Sequence, residues 1–150
     1  MSSSVEQTQY NNPKPVVVNV VYIARNDGSR GILGIIRGIE PAKGGLALPG
    51  GYVDELESIE EAAAREFQEE VGIATLPSDW RLLHSATTKA NRMLIFCSLN
   101  VTMLERFVRY LKPNEEVLGF EVLDADSQLA FPLHQEALER YLPMYRFVTG

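Results

Sequence analysis

A chain of 150 residues is the size of one domain, with material for a proper core and too little for two. Its net charge of −6 argues against a scanning nucleic-acid binder, which needs a basic surface, but not against a small phosphorylated ligand whose charge a metal ion offsets. One cysteine, Cys97, excludes an internal disulfide, and no apolar run reaches membrane-spanning length, so a soluble cytoplasmic protein without a membrane partner is expected.

Residues 1–15 are rich in Ser, Gln and Asn and close on Pro13 and Pro15, which predicts a flexible leader before a single domain over 16–150. The nearly all-apolar, β-branched run "VVVNVVYIA" (16–24) predicts one buried central strand. "NDGSRG" is a turn signal, and "ILGIIR" (32–37) completes a hairpin with that strand. "LALPGGYV" (46–53) reads as a short extended piece broken at Pro49-Gly50-Gly51. The clearest helix runs from Ile59 to Val71, with a Ser58–Glu61 capping box at its start and Gly72 as a left-handed stop. A second strand pair follows at 80–88 and 92–101. In "TMLERFVRYL" (102–111) the apolar residues recur at helical spacing behind a Thr102–Glu105 capping box, which predicts a short helix. "VLGFEVLD" (117–124) is a strand, and a helix over 131–142 has Pro132 in its first turn and Pro143 past its end. Strands and helices alternate without a repeat. The expected fold is α/β, a mixed β-sheet with helices on both faces.

The Ile59–Val71 helix is oddly charged. Glu66 and Glu70 lie about 40° apart on one face, with Glu69 about 60° round from Glu66. These anions sit near the negative end of the helix dipole, beside a core-facing stripe of Ala64, Phe67 and Val71. Like charges at i,i+4 and anions at that terminus together cost about 1–3 kcal/mol. The bland explanation is a solvated acidic face relieved by Glu61–Arg65 and Arg65–Glu69 pairs. The functional one is a hard divalent cation, which takes carboxylate oxygens and bridges to phosphates. Spacing alone leaves both open.

The full stretch from Gly51 to Ile73 resembles the signature of the Nudix hydrolase family. Gly51, five residues, Glu57, seven residues, then "REFQEEVGI" (65–73) match at every fixed position. The resemblance implies an α/β/α sandwich carrying a loop–helix–loop that binds Mg²⁺ or Mn²⁺ against a diphosphate. Glu66, Glu69 and Glu70 fall on that family's metal-binding carboxylates, and Gly51 on the glycine whose carbonyl joins them. Glu57 and Arg65 fall where a salt bridge braces the loop on the helix. A further acid often comes from a loop before a later strand, which points to Glu116, with Glu115 second. Arg37 matches a phosphate-contacting position, and Tyr52 borders the cleft. The candidate bases for the attacking water are Glu69, Glu66 and Glu116, in that order.

Other tempting residues read more plainly. His84 and His134 lack metal-ligand partners at suitable spacing; His134 can approach the site only if its helix caps the pocket. Cys97 reads as a buried small residue, and Trp80 as packing rather than a base-stacking platform. The tail "RYLPMYRFVTG" suits either the sheet or a second subunit, so a homodimer stays open. The reaction implied is hydrolysis of the diphosphate bond of a small nucleotide: a nucleoside diphosphate linked to another group, or a nucleoside triphosphate. Marks of several subfamilies are missing, including the proline that ADP-ribose pyrophosphatases carry near "TTKAN" (87–91), which demotes ADP-ribose-like substrates. The alternative is a non-catalytic nucleotide-sensing or regulatory module of the same fold.

Overall fold

The computed structural model describes residues 10–144. The predicted leader over 1–9 and the tail beyond Met144 lie outside the described residues. Pro15, assigned to the leader by sequence, already belongs to the first strand, as does Lys14.

Among the described residues, nine strands and three α-helices run in the order β1 (Lys14–Val20), β2 (Tyr22–Ala24), β3 (Arg30–Arg37), β4 (Leu46–Ala47), β5 (Gly50–Tyr52), α1 (Ile59–Val71), β6 (Trp80–Thr87), β7 (Arg92–Leu99), β8 (Met103–Leu104), α2 (Glu105–Val108), β9 (Val117–Leu123) and α3 (Pro132–Tyr141). They form two sheets. In the first, ordered β5-β1-β7-β6, β1 runs parallel to β7 while the other pairs are antiparallel. In the second, ordered β4-β3-β2-β8, β2 and β4 pair with different halves of β3, and β9 pairs along most of it.

Period-2 alternation explains why the strands are apolar on both faces. Val18, Val20, Tyr22, Ile32, Leu94 and Phe96 join a core with Ala137, Leu138 and Tyr141 of α3. Their neighbours Val21, Ile23, Leu33, Ile95, Cys97 and Leu99 join a second core with Ala63, Ala64, Phe67 and Val71 of α1. Each helix therefore covers one face, as an α/β/α layering requires.

The expected single strand over 16–24 is two strands. Residues up to Val20 take β5 and β7 as neighbours, and from Tyr22 onward the chain takes β3 and β8, so the run hands over from one sheet to the other at Val21. The piece over 46–53 divides likewise, β4 in one sheet and β5 in the other. The predicted helix over 102–111 is the clearest correction. Met103 and Leu104 pair in parallel with Ile23 and Ala24, which draws them into a ladder and leaves a single helical turn. The Thr102–Glu105 capping box does not form, because a Glu105 oxygen accepts the Asn26 N–H at 2.9 Å.

Helix α1 has the ends its sequence announces. Ser58 Oγ accepts the Glu61 N–H at 3.1 Å, and a Glu61 oxygen accepts the Ser58 N–H at 2.8 Å. Gly72 takes φ 82° and donates its N–H to the Gln68 carbonyl. Ser58→Ala removes the first of these caps and is expected to cost about 1 kcal/mol. Thermal melting should register a fall of about 2–4 °C.

Candidate metal and phosphate site

Helix α1 aims its last turns at the loop that precedes it. Glu66 and Glu70, on the face predicted to carry them together, are 8% and 6% exposed, whereas the Glu69 side chain is 53% exposed. A solvated acidic face is therefore excluded for the first two. Gly50 donates its N–H to a Glu70 oxygen at 2.7 Å. A Cβ built on Gly51 would lie 2.4 Å from the Glu66 carboxylate, so any larger residue there would push that carboxylate aside, and the glycine lets the backbone lie close to the acid.

Arg65 ties the loop to the helix. Its Nε and Nη2 donate to the two Glu57 oxygens at 2.7 and 2.9 Å, a bidentate pair, and Nη2 also donates to the Tyr52 carbonyl at 2.9 Å. This guanidinium holds the Glu57 carboxyl below the usual carboxylate range. Its Nη1 donates to Glu66 at 2.9 Å and to both Glu69 oxygens at 3.3 Å. Of the two relieving pairs considered from sequence, Arg65–Glu69 is present, while Glu61 is committed to the helix cap.

Glu116 stands beside this cluster. Its charge adds to the rise in the proton affinity of Glu66 and Glu70. Asn114, which the sequence did not mark, anchors its loop: the side-chain oxygen accepts the Glu116 and Val117 N–H groups at 2.9 and 3.0 Å, and Nδ2 donates to the Glu70 carbonyl at 3.0 Å. The Glu116 carbonyl accepts the Gly38 N–H at 2.8 Å. An Asn two residues before an acid is the only local hint of this turn.

Arg37, ending β3, lies over the Phe131 ring at 5.0 Å and donates Nε–H to the Pro41 carbonyl at 2.7 Å. Among the described residues its Nη groups make no hydrogen bond. Tyr52 is 51% exposed, with its hydroxyl accepting from Arg92 Nε at 2.8 Å.

Burial raises the Glu66 carboxyl above its ordinary value, with Arg65 opposing and Glu69 and Glu116 assisting. Burial likewise pushes Glu70 up to about 8, helped by Glu66 and Glu116 and opposed by the Gly50 N–H and Arg37. Among the described residues no cationic side chain forms an ion pair with Glu70. Desolvated, mutually repelling carboxylates pressed against a glycine backbone are oxygen donors of the kind a hard divalent cation takes, so such a cation fits their chemistry. Among the described residues no three such side chains come together as a metal-binding group, and Glu69 faces the Arg65 guanidinium.

The remaining residues take packing roles. Trp80 is buried, edge-on to Phe67 at 5.3 Å, with its Nε1–H on Thr75. Cys97 is buried among apolar neighbours, which pushes its thiol up to about 12. His84 stacks on Phe96 and bonds to the Tyr141 hydroxyl. Two surface cavities, about 400 Å³ between α2 and β9 and about 530 Å³ between β6 and α3, are lined by other residues than these carboxylates.

The NUDIX domain family model matches residues 13–145, and the chain belongs to that family. Its fold is similar to a MutT/nudix family protein from Enterococcus faecalis, with TM-score 0.74 and 19% identity over 97% of this chain and 71% of that one. It is also similar to the NUDIX domain of Shewanella oneidensis NrtR complexed with ADP ribose, with TM-score 0.71 and 17% identity over 97% and 95% of the two chains. An Ap4A hydrolase of C. elegans superposes with TM-score 0.69 and 15% identity over 88% and 98%. No curated protein matches the chain in sequence. Among the described residues no helix is long and apolar enough to cross a membrane.

The Glu70 shift gives a signed prediction. Its folded value lies above the unfolded one, so without cation it withdraws stability as pH rises from about 4.5 through about 8. Glu70→Gln keeps an oxygen for the Gly50 N–H and removes that penalty. In chelator its melting temperature should exceed the parent's by about 5 °C or more at pH 9, with the gap closing by pH 5.

Proposed function

We propose that the chain hydrolyses the diphosphate bond of a small nucleotide, either a nucleoside diphosphate linked to another group or a nucleoside triphosphate. Glu66, Glu69, Glu70 and the Gly51 carbonyl would hold Mg²⁺ or Mn²⁺. The single observation that carries this reading is the burial of Glu66 and Glu70 against the Gly50–Gly51 backbone, with their proton affinity raised. Two desolvated carboxylates repel one another once both are ionised, and a cation bound between them offsets that cost.

When bound, the cation neutralises the diphosphate and polarises its phosphorus–oxygen bonds. The chain's own residues do the rest. Arg37, whose Nη groups make no hydrogen bond among the described residues, binds phosphate oxygens. Tyr52, exposed at the edge of the loop, contacts the group attached to the diphosphate. Arg65 and Glu57 hold the loop in register with the helix, and Asn114 keeps Glu116 beside it. Glu69 takes the proton of the attacking water, since it is far more exposed than Glu66 and Glu70 and can exchange Arg65 for a new partner; Glu66 and Glu116 follow as candidates. Water attacks phosphorus in line, the bond to the bridging oxygen breaks, and a phosphate or nucleotide departs.

A second reading is a nucleotide-sensing module that binds without hydrolysing. It is favoured by the likeness to the NrtR NUDIX domain, whose structure holds ADP ribose. A panel of nucleotides that includes ADP-ribose, incubated with Mg²⁺ or Mn²⁺ and followed by product identification, separates the two. Release of phosphate, pyrophosphate or a nucleoside monophosphate supports hydrolysis, and saturable binding with no product supports sensing.

Glu69→Gln should melt within a few degrees of the parent yet lose about 10²-fold or more in kcat. Unchanged turnover in the purified variant would refute the assignment. Arg37→Met should raise KM more than it lowers kcat.

A further inference from the structure

His134 reaches from α3 into the loop that carries Gly50 and Gly51. It is 8% exposed, edge-on to Phe131 at 5.1 Å and to Phe96 at 6.4 Å. Its Nδ1 accepts the Leu48 N–H at 3.1 Å. Leu48 is 2% exposed and lies one residue past the end of β4, so its N–H has no strand to donate to. A buried amide left without an acceptor costs about 1–3 kcal/mol, and His134 supplies that acceptor. Burial first, and Arg37 second, lower the imidazole to about 4, so the ring is neutral at pH 7 and its Nδ1 lone pair is available.

Three successive backbone groups of this loop are thus gripped by three different elements. The Leu48 N–H goes to α3, the Pro49 carbonyl accepts the Asn19 N–H of β1 at 2.8 Å, and the Gly50 N–H goes to Glu70 of α1. Gly51 follows, pressed on the Glu66 carboxylate. A neighbouring bond from the Ala130 N–H to the Leu46 carbonyl, at 2.8 Å, ties the same segment to the approach to α3. Only the Leu48 grip comes from a side chain outside the loop–helix unit and the strands.

We infer that His134 is a positioning residue for the cation site, holding Leu48 so that Gly50 and Gly51 keep their places against Glu70 and Glu66. It touches neither substrate nor cation. The inference rests on the carboxylate-site reading above and extends it to a residue on the opposite helix, 83 positions after Gly51 in sequence.

Mn²⁺ binding, followed by the loss of the free-ion electron paramagnetic resonance signal, tests it without reference to activity. His134→Leu removes the acceptor and should weaken Mn²⁺ binding about tenfold or more. His134→Asn places an amide oxygen close to the Nδ1 position and should recover most of the affinity, a rescue that packing alone would not give. Should His134→Leu fail to fold, His134→Gln, whose polar atoms lie further out, takes its place with the same expected loss. Melting in chelator is measured beside it. A variant that melts lower yet binds Mn²⁺ as the parent does overturns the inference and leaves the carboxylate site standing. A parent that takes up no Mn²⁺ overturns both.

Discussion

The molecule is organised around an electrostatic debt at one end of a helix. Glu66 and Glu70 are taken out of water next to one another, at the terminus whose dipole repels them, and among the described residues only Glu66 has a guanidinium in contact. Nearly every feature of the surrounding structure either tolerates or exploits that arrangement. The core between α1 and the sheets seats the helix with Glu66 and Glu70 turned inward and Glu69 outward. The glycine pair brings backbone within reach of both carboxylates, and the Asn114 turn adds a third acid rather than a base.

Arg65 deals with part of the charge and defines what is left over. It is shared among Glu57, Glu66 and Glu69, and its bidentate bond to Glu57 fixes the entry of the loop into the helix. Glu70 receives a backbone N–H and no cationic partner among the described residues. That hydrogen bond and the charge of Arg37 do not offset the burial of Glu70, whose proton affinity is raised to about 8. In the function proposed for them, this ordering also gives the acids different jobs. The buried pair suits fixed ligands, whereas the exposed Glu69 suits a group that changes partner during a reaction.

What the sequence disclosed follows from the range of the interactions involved. Helix α1, its capping box, its glycine stop and the shared face of Glu66 and Glu70 depend on residues within a few positions, and they stand where the sequence put them. The covering of the sheet on both faces was legible in the unbroken apolar strands. The division of residues 16–24 between two sheets was not, because each half is apolar and only distant partners decide where one strand ends. The segment 102–111 misled for the same reason: its helical spacing is real, but pairing of Met103 with Ile23 outweighs local preference. At the site, Arg65–Glu57 and Glu116 could be anticipated from the family resemblance. Asn114 and His134 could not, since their partners at Glu70 and Leu48 lie 44 and 86 residues away.

Where a cation sits on this molecule decides most directly what the buried carboxylates are for. Anomalous diffraction from crystals grown with Mn²⁺ would locate the ion without assuming any activity. A peak bounded by Glu66, Glu69, Glu70 and the Gly51 carbonyl, with Glu69 turned away from Arg65, is the predicted result. Density confined to other surface acids, with Glu66 and Glu70 still buried and unvisited at saturating Mn²⁺, would contradict it.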